Sequence, residues 1–165
     1  MKIQRYREFL EIIGDLLKND EVKKMKNYRQ HCDISTFEHS KNVAYICFYI
    51  CKRFNLDYVS AARAGMLHDL FLYDWRDKRP HEKFTDLHAF SHPKIALENA
   101  RKVTSLSEKE EDIILKHMWP LTVKLPKYKE SYIITVADKC STLAESWRYL
   151  KKKLLKNNRK KSEQC

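Results

Sequence analysis

Apolar residues recur at helical spacing from the first turns of the chain. Ile3, Tyr6, Leu10, Ile13 and Leu17 fall on one face and predict an amphipathic helix over residues 3–17. A second short helix is expected from about Asp20 to Gln30. Ser35-Thr36-Phe37-Glu38 is an S-x-x-E capping box, so a further helix should begin there and run to about Phe54. Its residues Val43, Ala44, Ile46, Cys47, Phe48, Ile50 and Cys51 are apolar on almost every side, as in a helix at the centre of a fold.

Asn55-Leu56-Asp57 makes a short break, and the next helix spans about Tyr58 to Leu70. The stretch from Tyr73 to Ser91 is charged and aromatic, contains Pro80, and reads as a long loop; such loops in small domains are commonly functional. Ser91 is expected to cap a helix with Pro93 in its first turn, continuing to about Val103. Ser107 followed by Glu110 starts another, which ends before Pro120, and the last begins near Ser131 and runs to the basic end of the chain. No repeat or low-complexity linker interrupts this order. The pattern predicts an all-α single domain, a helical bundle: N-terminal helices (1–30) packed on a core (31–147), followed by a basic helix end or tail (148–165).

Composition sharpens this picture. Only Gly14 and Gly65 are glycines, fewer than the turns of a β-rich fold of 165 residues need. No apolar run approaches the roughly 20 residues that span a bilayer, and charges interrupt the N-terminal apolar positions, which argues against a signal peptide. The five cysteines are odd in number and form no CxxC pair, so free thiols in a reducing, cytoplasmic setting are expected, with no membrane partner. The net charge of +11 invites a nucleic-acid reading, but +7 of it falls from Arg148 onward. A terminal basic run is usually a solvated helix end, so nucleic-acid binding is not favoured.

The chemistry narrows by elimination. There is no G-x-G-x-x-G, no P-loop, no H-E-x-x-H and no G-x-S-x-G. What remains is histidine and aspartate at helix ends or on inward faces. His39 lies in the first turn of the central helix, aligned with Val43, Ile46 and Ile50. His68-Asp69 closes the next helix, His92 opens the fourth and His117 ends the fifth. Asp138 sits among Ile133, Ile134, Val136 and Ala137 of the last. A carboxylate among such residues is costly unless a cation or hydrogen-bond donors compensate it. Spacings of 29, 24, 25 and 21 residues put one set on each of five successive helices, and converging helix ends can enclose a metal site. Imidazole with carboxylate suits iron, manganese or zinc.

On these residues the sequence resembles the HD superfamily of metal-dependent phosphohydrolases. The likeness covers F-E-H-S-K-N-V-A (37–44), A-G-M-L-H-D-L (64–70), H-P-K-I-A-L-E-N-A (92–100), K-H-M-W-P-L-T (116–122) and T-V-A-D-K (135–139). It looks most like the small bacterial HD hydrolases, among them the symmetrical dinucleoside tetraphosphate hydrolases. The order H…HD…H…H…D is the six-ligand version, which implies two divalent or transition metal ions. In that reading His39, His68, Asp69 and Asp138 hold one, and His92, His117 and a bridging, catalytic Asp69 hold the other. Iron or manganese is the first expectation, with zinc, nickel, cobalt or magnesium as further candidates. Many members continue HD-x-G-K, the Lys reaching the substrate phosphate; here the run is His68-Asp69-Leu70-Phe71-Leu72-Tyr73. Phosphate contacts are therefore expected from other residues, Arg76 and Lys94 first, then Lys83, with His88 (and His81) in the same loop. His31 is expected to be structural.

The resemblance implies hydrolysis of a phosphate ester or anhydride by a metal-activated water, on a nucleotide or another small phosphorylated metabolite. Two alternatives stand beside it. HD-fold mixed-valent di-iron oxygenases use the same six ligands, and a nucleic-acid-binding module would use the basic tail.

Overall fold

The computed structural model describes residues 2–75 and 88–162. Among the described residues eight α-helices carry the fold: α1 (Lys2–Ile12), α2 (Gly14–Lys18), α3 (Asp20–Lys24), α4 (Thr36–Arg53), α5 (Tyr58–Leu67), α6 (His88–Val103), α7 (Glu108–Lys116) and α8 (Lys129–Ser162). The expected all-α class holds, with one small addition. Strands β1 (Arg29–His31) and β2 (Ile34–Ser35) form an antiparallel pair between α3 and α4.

Local chemistry sets most of the helix starts. Ser35 and Ser107 each close a capping box, with Glu38 and Glu110, and Asp57 caps α5 by accepting from the Ser60 amide. Asn55 turns the chain between α4 and α5 with a φ of 53°, a conformation asparagine tolerates better than most residues.

α4 is the central helix, and α5 lies closest to it. Gly65 makes that approach: a Cβ there would meet the Ala44 Cα at 2.8 Å. His39 at the start of α4 and His68-Asp69 just beyond α5 are thereby brought into one layer. Phe9, Ile13, Leu16, Val22 and Met25 from the N-terminal segments share a single buried cluster with Phe48, Met66, Leu67, Ile113, Ile114 and Ile134. No helix among the described residues is long and apolar enough to cross a membrane.

Three expectations need correction. The helix over 3–17 breaks at Ile13, between α1 and α2. The helix predicted to reach Gln30 stops at Lys24 and passes through a short 3-10 turn into β1. The Thr36 amide and hydroxyl both donate to the Tyr28 carbonyl, at 2.9 and 3.2 Å, and fold the segment back as a hairpin, with Cys32 at φ 51°. Finally, α6 spans His88–Val103, so Ser91 lies inside the helix rather than at its cap, and His92 and Pro93 lie beyond the first turn. Pro93 lacks the amide that would reach the Ala89 carbonyl, which costs the helix one bond without ending it.

Candidate metal centre

The six residues singled out from the sequence converge. His39, His68, Asp69 and Asp138 form one group and Asp69, His92 and His117 a second, and within each group the candidate ligand atoms all lie within 4.8 Å of one another. All but the partly buried Asp138 are buried. Asp69 belongs to both groups, one oxygen to each. Its Oδ2 is 3.3 Å from His68 Nε2 and 3.9 Å from His39 Nε2, while its Oδ1 is 3.3 Å from His92 Nε2 and 3.5 Å from His117 Nε2.

The four rings are oriented from behind. Nδ1 of His68 donates to the Gly65 carbonyl, that of His92 to His88, and that of His117 to Ile114, each at 2.8 Å. Nδ1 of His39 donates to Glu145 Oε2 at 2.9 Å. With each Nδ1 engaged on the outside, every Nε2 faces the centre, the nitrogen left to ligate a cation once it carries no proton. Glu145 is buried and is itself held by Ser141 Oγ at 2.8 Å and Asn42 Nδ2 at 3.3 Å. Gln30 Nε2 donates to Asp69 Oδ2 at 2.6 Å, and the Trp75 indole donates to the Gln30 carbonyl at 3.2 Å.

This donor set fits cations. His68 Nε2 and Asp69 Oδ1 are buried without a hydrogen bond, and Nε2 of His92 faces Nε2 of His117 at 2.8 Å. Two inward nitrogens at that distance share a proton or are drawn together by a common partner, and orphaned buried acceptors are costly unless one is bound. Imidazole and carboxylate are the ligands that first-row transition metals accept.

Without a cation the charges are unevenly spread. Burial opposes protonation of His39, but the Asp138 and Glu145 carboxylates outweigh it and raise its pKa to about 9. At His68 burial is likewise overcome, by Asp69 and Asp138, and the pKa rises to about 10. Burial and the neighbouring His92 and His68 instead push His117 down to about 3. Burial would raise Asp69 and Asp138, yet their histidine partners hold both below the usual carboxylate range.

A cavity of about 570 Å³ opens onto the centre. Asp69, His92, His117 and Asp138 line its floor; Trp75, Ala89, Met118 and Leu143 supply apolar wall. A family model for the HD domain matches residues 36–143, well over half of the chain. The chain belongs to the HD domain family. No curated protein and no solved structure gave a match.

The rim residues expected from the sequence fall in different places around the HD site. Arg76 and Lys83 lie outside the described residues. Lys94 is exposed on α6 and is not among the residues lining the cavity. His88 does line it, accepting or donating at Nδ1 with the Tyr73 hydroxyl at 2.9 Å and stacking on Trp75 and His92. His31, expected to be structural, also lines the cavity and meets the His39 ring edge-on at 5.6 Å. In place of the Lys of HD-x-G-K, Leu72 packs against the core. Among the described residues Lys139, next to Asp138, is the Lys that lines the cavity, and its ammonium donates to the Trp119 carbonyl at 3.0 Å.

Sequence reasoning missed Gln30, Lys139 and Glu145. Glu145 was open to discovery, since it lies two turns beyond Asp138 on the same face of α8. Gln30 was not, because its role depends on a hairpin held by long-range contacts.

Proposed function

We propose that the protein is a metal-dependent phosphohydrolase that holds two cations and cleaves a phosphate ester or anhydride of a nucleotide or another small phosphorylated metabolite. The observation that carries this reading is the double membership of Asp69. One carboxylate with an oxygen toward each His/Asp group is the arrangement that ties two cations into one reaction centre. His39, His68, Asp69 and Asp138 would hold one, and Asp69, His92 and His117 the other, with iron or manganese the first candidates.

Bound cations supply Lewis acidity, polarising a phosphoryl oxygen and acidifying water. The chain's own part is orientation and exclusion. Gln30 fixes the Asp69 carboxylate, Glu145 fixes the His39 ring, and the apolar wall keeps bulk water from the floor of the cavity. Lys139 offers positive charge at the rim to a phosphate. His88 stands beside His92 within reach of a leaving group, and Arg76 and Lys83 follow Trp75 in the sequence as further phosphate contacts.

The test is metal content of the purified protein together with phosphate release from a nucleotide panel, with and without oxygen. Two equivalents of transition metal and oxygen-independent phosphate release are expected. Oxygen-dependent turnover with a mixed-valent iron signal would replace this reading with the di-iron oxygenase one.

A further inference from the structure

α8 continues well beyond the domain it belongs to. Its inward face supplies Ser131, Ile134, Thr135, Ala137, Ser141 and Glu145, and Glu145 is the last buried residue of the helix among the described side chains. From Leu143 onward the outer face of the helix carries large apolar residues. Leu143 is 70% exposed, Trp147 71%, Leu150 52% and Leu154 64%, at intervals of four, three and four. That rhythm lines them along one side of a helix. Exposed Cys140 and Val136 extend the same line toward the domain, and Leu155 widens its far end.

The remaining surface of this segment is cationic. Arg148, Lys151, Lys152, Lys153 and Lys156 are exposed, Arg159, Lys160 and Lys161 follow in sequence, and no acidic residue falls between Glu145 and Ser162. Lys152 has an ion partner, Asp33 at 3.1 Å. Lys152 lies roughly opposite the apolar line on the helix, so that contact leaves the line uncovered.

Three kinds of occupant meet these features differently. A second copy paired along the line would set Lys151 and Lys153, which flank it, against another strongly basic helix, with no acid on this segment to relieve the repulsion. A nucleic acid would use the cations and leave four large apolar side chains in water. A lipid surface with anionic headgroups uses both: the apolar line enters the headgroup boundary while cations around the helix feel the surface potential.

We propose that the face formed by Leu143, Trp147, Leu150 and Leu154, with its surrounding lysines and arginines, seats the protein peripherally on an anionic lipid surface. Seating places the cavity above the His/Asp groups at that surface, because Leu143 belongs both to the line and to the cavity wall. The sequence pattern alone pointed to no membrane partner; the exposure of these side chains changes that expectation. The proposal does not depend on the hydrolase reading.

The test uses the full chain and vesicles of phosphatidylcholine with or without phosphatidylglycerol. Co-sedimentation is expected with the anionic vesicles alone, weakening as salt shortens the Debye length from about 10 Å at 0.1 M to about 3 Å at 1 M. Tryptophan emission should shift to the blue on binding, and Trp147→Tyr should remove most of that shift. The double variant Leu150→Glu/Leu154→Glu should bind at least tenfold more weakly, with an unchanged thermal melt because both sites are exposed. Lys151→Gln and Lys153→Gln should each cost about fivefold, the equivalent of about 1 kcal/mol per cation. Absence of vesicle binding at low salt overturns the proposal. So does vesicle binding indifferent to the Leu→Glu changes, a dimer dissolved by those changes without vesicle binding, or duplex DNA bound in place of vesicles.

Discussion

Glu145 accepts the Nδ1 proton of His39 at 2.9 Å, so the outer side of that ring is committed before any cation arrives. Carboxylate partners of this kind fix both ring orientation and tautomer, and losing one typically weakens metal binding 10–100-fold. Glu145→Ala should therefore lower affinity at the first group by about that factor, read by competitive metal titration. Glu145→Gln keeps an acceptor oxygen and should lose less. Equal, unchanged affinity in both variants would show that Glu145 only packs.

The two groups should empty separately. His117→Ala removes a ligand from the second group alone, and bound metal should fall from two equivalents to one. Asp69→Ala touches both and should leave almost none. Elemental analysis of the three proteins decides the matter, and a wild type that takes up no transition metal would sink the assignment.

Metal-free protein should show opposing pH trends. His39 and His68 are raised to about 9 and 10, so their stabilisation is complete below the unfolded value near 6.5 and disappears as pH climbs through 9–10. His117, depressed to about 3, works the other way: its contribution is lost as pH falls from 6.5 toward 3. The melting temperature of chelator-treated protein should thus peak between these limits. Loading metal at pH 8 should expel protons from His39 and His68, measurable by calorimetry in buffers of different ionisation heat.

The two glycines should respond in opposite directions. Gly65→Ala drives a Cβ against the Ala44 backbone and should cost about 1–3 kcal/mol, several degrees of melting temperature. Gly14→Ala meets nothing within 4 Å and sits in a helix, so it should be neutral or stabilising by up to about 1 kcal/mol. Thermal melts of both variants check the pair.

What the sequence revealed follows from how local the cause was. Ser35 and Ser107 announce their helices because a cap needs only residues three apart. The six His and Asp residues were legible because each stands at an end or on an inward face of a helix with a clear period. The β1–β2 hairpin was not, since the Tyr28–Thr36 contact that folds it overrides the helical preference of the chain before it. Gln30 was hidden with it. Lys139 lies on α8 outside the long loop to which the sequence points, and the exposure of the apolar residues from Leu143 to Leu154 is a property of the whole fold that no local pattern carries.

No proline or glycine interrupts α8 from Lys129 to Ser162. Asp138, Lys139, Glu145 and the outer leucines therefore ride on one stiff rod about 50 Å long. Between Leu154 and Asp138 the rod has no proline or glycine at which to kink. Displacing the outer end of the helix therefore moves the position of Asp138 within the His/Asp groups.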